Sequence, residues 1–327
     1  MQDILDTVLL LALPASGKSE VRRYLKHLSA DECRRDFHIG STVQLDDFPY
    51  VHLMRRIDDE VVAGGGKRVF FLAPDRPFQS TQDWGTLIAL LNEDHADLVA
   101  RRVARPSSAA AHLLERIDAA SEIVGAGRRL AALSRDARDH VIDALEREAK
   151  GLLDEKHANY PATLAGRTLV IEFARGGPDQ ATLPLEAPLG YRHSLSLLSP
   201  AILERASILY VWVTPEESRR KNQARTDPDD PGSILHHGVP LEVMLHDYGC
   251  DDMAWLEEHS EKKGTITIAA HGRKYHLPVG RFDNRVDKTS FLRADQKDWR
   301  PEDVRAVHDG LRAALDTLAT YRSSNPA

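Results

Sequence analysis

The sequence has few cysteines, no long apolar run and no excess of positive charge. Its 327 residues include only Cys33 and Cys250, with no C-x-x-C pair, which argues against a disulfide framework or a zinc site. The longest apolar run, residues 8–14, is far too short to span a bilayer, and no signal-type segment opens the chain. The net charge of -7 disfavours a general nucleic-acid binder, which would carry a basic face. We therefore expect a cytoplasmic protein with neither a membrane nor a nucleic acid as its partner.

The segment at residues 9–19 carries the clearest motif in the chain. Its letters, LLLALPASGKS, describe an apolar strand, a loop and a helix that begins near Lys18. In such a loop the backbone N–H groups surround phosphate oxygens, the lysine reaches the β- and γ-phosphates, and the serine hydroxyl ligates Mg²⁺. Lys18 is thus also a catalytic candidate, and Ser19 a metal ligand. The predicted nucleotide-binding residues are Pro14, Ala15, Ser16, Gly17, Lys18, Ser19 and Glu20.

One position departs from the full G-x-x-x-x-G-K-[ST] pattern. Ala12 stands where glycine is usual, and glycine is favoured there when the turn needs a conformation that a Cβ atom disfavours. Alanine is the smallest departure, so we still expect the loop to bind a nucleoside triphosphate. ATP is favoured over GTP because the chain has no guanine-recognising N-K-x-D sequence.

Short apolar runs separated by helical segments predict an α/β fold, a three-layer sandwich around a mainly parallel sheet. The runs at 8–13, 167–173 and 208–213 lack the alternation of half-exposed strands, as expected for parallel strands covered on both faces. Further strands are predicted at 43–47 and 68–72, a β-hairpin within 264–282, and a closing amphipathic helix at 301–321.

Residues 107–157 show helical periodicity with one interruption. Leu113, Ile117 and Ala120 recur at helical spacing, Gly125-Ala126-Gly127 breaks the pattern, and the same period then resumes. We predict an α-helical hairpin over 106–159, inserted into a nucleotide-binding domain formed by 1–105 and 160–327. Simple packing explains such helices; the alternative is a subdomain that covers the substrate.

Carboxylates follow two of the predicted strands. Asp46 and Asp47 end the second strand, and carboxyl ends of parallel strands face the ligand crevice, so either suits a catalytic base and Asp46 a substrate contact. Glu172, at the end of the strand at 167–173, is a candidate metal ligand. Arg175, three residues further on, is suited to bind an anionic substrate group. The competing interpretation is that these are ordinary solvated charges.

Basic residues follow the strand at 208–213. Pro215 and the acids after it predict the start of a helix, on which Arg219, Arg220 and Arg225 lie. Cations in this place can neutralise charge on a transferred phosphoryl group, whereas the alternative is a solvated basic face. A polar turn at 283–289 follows a late strand and is suited to border the base of a nucleotide.

Four segments resemble the P-loop kinase group, which includes adenylate kinase, uridine kinase and related small-molecule kinases. LPASGKS is similar to the group's phosphate loop, VQLDDFP to the strand-two motif of uridine-kinase-like members, IEFAR to the acid-x-x-arginine element of deoxynucleoside-kinase-like members, and YVWVTPEESRRKNQAR to the strand, turn and lid helix. The resemblance implies a P-loop NTPase fold that binds ATP and Mg²⁺ through Lys18 and Ser19. It also implies a base at Asp46 or Asp47, a substrate contact at Arg175, and lid arginines among residues 219–225.

We therefore predict an ATP- and Mg²⁺-dependent kinase that moves the γ-phosphate of ATP to a small-molecule acceptor such as a nucleoside, a nucleotide or a sugar. Two alternatives stay open. One is a regulatory NTPase or switch with a protein partner, and the other is a non-catalytic module that retains the loop. The acceptor and the oligomeric state stay undetermined, because the side chains that select an acceptor converge only in the folded chain.

Overall fold

The computed structural model describes residues 4–225 and 238–325. Its strands are β1 (Thr7–Leu11), β2 (Ser41–Asp46), β3 (Arg167–Phe173), β4 (Ala206–Trp212), β5 (Thr265–Ala270) and β6 (Arg273–Asp283). Its α-helices are α1 (Lys18–His27), α2 (Ala30–Phe37), α3 (Phe48–Ala63), α4 (Asp83–Ala100), α5 (Ala109–Ile123), α6 (Arg135–Ala158), α7 (Gly190–Ser196), α8 (Pro200–Leu203), α9 (Pro215–Arg225), α10 (Leu241–His246), α11 (Met253–Glu258) and α12 (Pro301–Ser324).

The six strands form one sheet in the order β2-β3-β1-β4-β6-β5. Strands β2, β3, β1, β4 and β6 run parallel to one another. Strand β5 is antiparallel to β6, with which it forms a hairpin. The hairpin turns at His271-Gly272, as predicted. Since β1 lies between β3 and β4, the loop after β1 emerges at the same edge of the sheet as the ends of its neighbours. The fold thus places the predicted phosphate loop beside the ends of β2, β3 and β4.

Helices cover both faces of the sheet because its inner strands are apolar on both sides. On β1, Val8 and Leu10 pack with α1, α2 and α12, whereas Leu9 and Leu11 pack on the opposite face with α4, α7 and α11. Complete burial of one such leucine contributes roughly 1.5–3 kcal/mol to stability. The predicted α/β class with a mainly parallel sheet is confirmed.

Helices α3, α4, α5 and α6 enclose a further apolar cluster beside the sheet. Ser108 and Ser134 cap α5 and α6, and each serine oxygen accepts the backbone N–H of the third residue beyond it. The interruption predicted at 125–127 separates the two helices, and both of its glycines have a positive φ. Their shared core extends into α3 and α4, outside the predicted limits of 106–159.

The prediction of a strand at 68–72 is wrong. This segment makes only an isolated bridge between Phe71 and Phe78. The reason is that the buried carboxylate of Asp58 accepts the backbone N–H groups of Val69, Phe70 and Phe71, at 2.6, 3.0 and 2.8 Å. Those donors are not available to a neighbouring strand, so the segment packs as an irregular loop against α3.

The other predicted elements are present, with small shifts at their ends. The strand at 167–173 matches β3, and β4 begins two residues before its predicted start at 208. The closing helix extends from Pro301 to Ser324. Among residues 4–225 and 238–325, no helix is both long and apolar enough to cross a membrane.

Candidate functional site

The loop between β1 and α1 contains two residues with a positive φ. Gly17 has φ 106°, and Ala15, with φ 56°, is one of the non-glycine residues in the left-handed region. Ala12 is fully buried and does not have a positive φ. The alanine at the first glycine position is therefore accommodated without backbone strain, because the left-handed turns fall at Ala15 and Gly17.

Two segments distant in sequence hold this loop in place. The hydroxyl of Ser218, on α9, donates to the Pro14 carbonyl at 2.7 Å, and the side-chain amide of Asn284 donates to the Ser16 carbonyl at 2.7 Å. Asn284 also donates to the Thr289 hydroxyl, at 2.9 Å. A Cβ on Gly17 would lie 2.5 Å from that hydroxyl oxygen, so only glycine fits. The polar turn expected to border a nucleotide base thus contacts the loop itself.

The side chains that follow Gly17 have different environments. The Lys18 ammonium lies within the loop, 3.3 Å from the Ala12 carbonyl oxygen and 3.5 Å from that of Leu13. Glu20 is buried and pairs with Arg293 at 2.6 Å, which ties α1 to the segment before α12. We expect the Lys18 side chain to move towards a bound phosphate. We expect Glu20 mainly to stabilise the position of α1.

Two carboxylates lie side by side at the ends of neighbouring strands. Asp46 is the register partner of Glu172 across β2 and β3, and Leu10 of β1 is the next neighbour of Glu172. Arg22, on α1, approaches both acids, with its Nη1 atom 2.9 Å from Glu172 and 3.6 Å from Asp46. Burial, followed by the charge of Asp46, raises the pKa of Glu172 to about 7. This acid therefore exchanges a proton near neutral pH.

Asp47 forms a buried ion pair with Arg175. Its carboxylate lies 2.6 Å from the Nη1 atom of Arg175, and only 2% of the Arg175 side chain is exposed. Arg175 also donates to the Ser194 hydroxyl and to the Trp84 carbonyl. Burial raises the pKa of Asp47, and Arg175 opposes that rise. These contacts hold Arg175 against Asp47, at the start of α3. Arg175 does not line the cavity, described below, in which a substrate contact is expected.

The basic residues of α9 also have partners within the protein. Arg219 lies 3.5 Å from Glu216, whereas Arg220 is more exposed and pairs with Glu217 at 2.6 Å. Lys221 is buried and lies 2.9 Å from Asp287 in the polar turn. The side chain of Arg225, the third predicted lid arginine, lies outside the described residues. In this arrangement α9 is joined to the phosphate loop through Ser218 and to the turn through Lys221.

One cavity of about 180 Å³ brings the predicted phosphate loop together with the carboxylates. The polar part of its lining consists of residues 14–20, Arg22, Asp46, Asp47 and Glu172, and α10 contributes Val243 to its wall. The aromatic part of its lining consists of Phe48, Phe71, Phe78, Trp84, Phe173 and Tyr248. The guanidinium carbon of Arg55 lies 3.8 Å from the centre of the Phe71 ring. The cavity lining thus combines a polar part, which includes the predicted phosphate loop, with an aromatic part.

The donors in the polar part of the lining are of the kind that Mg²⁺ prefers. Ser19, Asp46 and Glu172 all offer oxygen atoms to the same cavity. Mg²⁺ is generally held by one or two carboxylates together with phosphate oxygens and waters. Within the described parts of the chain, no group of three or more His, Cys, Asp or Glu side chains is arranged to hold a metal.

Sequence reasoning missed the aromatic part of the cavity lining and the residues that hold the loop. Ser218 was visible only as part of a basic helix, and Phe71 and Phe78 as a short strand with its closing turn. Their roles depend on contacts between segments up to about 270 positions apart, such as the bond from Asn284 to Ser16. Comparison of the chain with protein-family models, with curated proteins and with solved structures finds no match.

Proposed function

We propose that the protein is an ATP- and Mg²⁺-dependent phosphotransferase that moves the γ-phosphoryl group of ATP to a small-molecule acceptor. The observation that supports this proposal most is the composition of one cavity. It joins a phosphate-binding type of loop, a strand-end carboxylate and a set of aromatic side chains. The aromatic side chains that line the same cavity as the predicted phosphate loop offer a place for an acceptor.

The loop and its helix would bind the triphosphate. Backbone N–H groups of residues 15–19 and the start of α1 favour a phosphate anion, and Lys18 would move from the loop carbonyls to the β- and γ-phosphate oxygens. Ser19 and Glu172 would hold Mg²⁺, which when bound neutralises phosphate charge and orients the γ-phosphate. Glu172 would give up its proton when it takes on this role.

The best candidate for the base is Asp46, since Asp47 is committed to Arg175. The Asp46 side chain is 26% exposed and lines the cavity. The acceptor hydroxyl oxygen would attack the γ-phosphorus in line and form a new O–P bond. The bond to the bridging oxygen of ADP would break with its electron pair, and Asp46 would take the hydroxyl proton. Arg219 would be drawn towards the phosphates to complete charge neutralisation.

The aromatic part of the lining favours an acceptor that carries a flat ring over a sugar alone. Phe78 and Trp84 meet edge to face, with ring centres 5.0 Å apart, and Trp84 and Tyr248 meet in the same way at 5.6 Å. Such walls favour stacked or edge-on contacts with a planar ring, each contributing about 0.5–1.5 kcal/mol. A nucleoside-like acceptor fits this chemistry within the range that the sequence leaves open.

The experiment is a screen for acceptor-dependent formation of ADP, followed by phosphorus NMR of the new phosphate ester. Asp46→Asn keeps an oxygen to accept the Phe48 N–H, which Asp46 now accepts at 2.9 Å, so α3 should still begin normally. We expect this variant to bind ATP but to lose about 10²–10⁴ in kcat. The matched control is Asp59→Asn, on the outer side of α3.

Full phosphate transfer by Asp46→Asn would show that the proposed base is wrong. ATP binding that requires Lys18, without ADP formation for any acceptor in the screen, would favour the regulatory switch instead. In that case the aromatic part of the lining would serve a conformational role or bind an effector.

A further inference from the structure

A second cavity, of about 260 Å³, lies between β2 and helices α3 to α6. It is larger than the ~150 Å³ engineered cavity that suffices to bind benzene. Arg22 and Asp46 line both this cavity and the phosphate-loop cavity, so the two cavities border each other there. A polar network of side chains from α4, α5 and α6 forms another part of the wall. Its main apolar lining consists of Val43, Leu45, Leu53, Leu98, Leu113, Leu152 and Leu153.

The polar network centres on Asp94. Its carboxylate accepts the Tyr50 hydroxyl at 2.6 Å and lies 2.6 Å from Arg116 Nη2 and 2.7 Å from Lys156 Nζ. Each cation is also shared with a second acid, since Arg116 pairs with Glu93, and Lys156 with Asp97. Arg102 also pairs with Asp97, at 2.7 Å, so three cations meet three acids and the charges of the network balance. A ligand with a full charge of either sign would meet a like charge here as closely as an opposite one.

Tyr160 gives this cavity a polar group that the network does not use. Tyr160 lines the cavity, and its hydroxyl oxygen is buried without a hydrogen-bond partner in the part of the chain that the structure describes. A buried hydroxyl with no partner destabilises a protein by about 1–3 kcal/mol. An occupant that accepts a hydrogen bond from Tyr160 would remove this cost.

We propose that this cavity is a binding site for a small, uncharged amphipathic molecule. Its apolar body would lie along the leucines, and one hydroxyl or carbonyl oxygen would accept the hydrogen bond of Tyr160. Because Arg22 and Asp46 line both cavities, an occupant would also alter the surroundings of the carboxylates beside the phosphate loop. The proposal concerns binding alone and does not depend on phosphate transfer.

The test uses three probes with the same six-carbon chain: 1-hexanol, hexanoate and hexylammonium. Binding to the full chain is followed by saturation-transfer NMR and titration. We expect 1-hexanol to bind more tightly than either charged probe. Ala149→Leu, which adds carbon atoms to the wall of the cavity, should weaken this binding by about tenfold or more. Tyr160→Phe should weaken it about threefold to tenfold, because it removes the donor and keeps the ring.

Tyr321→Phe, on α12, is the matched control and should leave hexanol binding unchanged. If Ala149→Leu does not fold, judged by circular dichroism, Leu153→Phe replaces it. The absence of hexanol binding to the wild type would show that water alone fills the cavity and would overturn the proposal. If the variant with the filled cavity binds 1-hexanol as tightly as the wild type does, then hexanol binds elsewhere on the protein. Tighter binding of hexanoate than of 1-hexanol would overturn the assignment of an uncharged ligand.

Discussion

The two cavities share Arg22 and Asp46 but are built in opposite ways. The phosphate-loop cavity takes part of its polar lining from one short segment, residues 14–20, which distant side chains such as Asn284 and Ser218 hold in position, and the rest from Arg22 and the strand-end carboxylates. The helical cavity takes single side chains from β2, from α1 and α3 to α6, and from the segment after α6, spread over residues 22–160. A site whose chemistry lies in the backbone of one loop leaves a motif in the sequence, whereas a site assembled from separate side chains does not.

The two regions also neutralise their buried carboxylates differently. Among residues 4–225 and 238–325, the cation at ion-pair distance from Asp47 is Arg175, whereas Asp94 has both Arg116 and Lys156. Loss of one cation should therefore cost much more beside the phosphate loop than in the helical region. The predictions below test this contrast, from the largest expected effect to the smallest.

Arg175→Met should lower the free energy of unfolding by about 3–5 kcal/mol, because it leaves Asp47 buried without its cation. Arg116→Met should cost clearly less, since Lys156 still neutralises Asp94. Urea denaturation of both variants measures the difference. Equal losses would show that the second cation contributes nothing, and the double variant Asp47→Asn/Arg175→Met should recover part of the larger loss.

Glu172 should make stability depend on pH. Burial raises its pKa to about 7 in the folded protein, against an ordinary value of 4.5, so the folded state holds this proton more tightly. Its contribution is complete below pH 4.5 and is lost as the pH rises to 7, by about 3 kcal/mol. Glu172→Gln should remove this part of the pH dependence, measured by urea denaturation from pH 5 to pH 8.

The exposed Glu155→Gln serves as the control for Glu172→Gln and should keep the pH dependence of the wild type. If Glu172→Gln also keeps it, then Glu172 does not hold a proton in the folded protein, and the close approach of Arg22 governs its charge.

Gly17→Ala should destabilise the protein by about 2 kcal/mol and weaken ATP binding, because the new Cβ meets Thr289 and the backbone conformation is left-handed. Gly127→Ala, between α5 and α6, has a similar positive φ of 78° with open space around it. It should cost about 1 kcal/mol and leave ATP binding intact. Equal effects of the two substitutions would show that the contact with Thr289 is not important.

Ser218→Ala should have the smallest effect, a loss of about 1 kcal/mol, because it removes the single bond from α9 to the Pro14 carbonyl. A measurable fall in ATP affinity by calorimetry would show that this bond also shapes the loop. Ser323→Ala, which removes an exposed hydroxyl bonded to a carbonyl one turn away on α12, is the control and should leave both quantities unchanged.

The parts that could be predicted from sequence are those fixed by local pattern. The mostly apolar sequence of residues 167–173 predicts β3, because a strand covered on both faces favours apolar residues. The spacing of residues 12–17 predicts the loop after β1. The segment at 68–72 was predicted wrongly because Asp58, ten or more positions earlier, takes its backbone donors. The sequence predicts a substrate contact for Arg175, and nothing local indicates that its guanidinium lies 2.6 Å from Asp47. Such long-range ion pairs and hydrogen bonds depend on the completed fold.

The most direct test of the central claim is calorimetric titration of ATP with Mg²⁺ into the wild type and into Lys18→Ala. The exposed Lys26→Ala, on the same helix, is the control. The account predicts that the wild type and Lys26→Ala bind ATP and that Lys18→Ala does not. Unchanged binding by Lys18→Ala, or no binding of ATP to the wild type, would contradict the assignment of residues 14–20 as a nucleotide-binding loop.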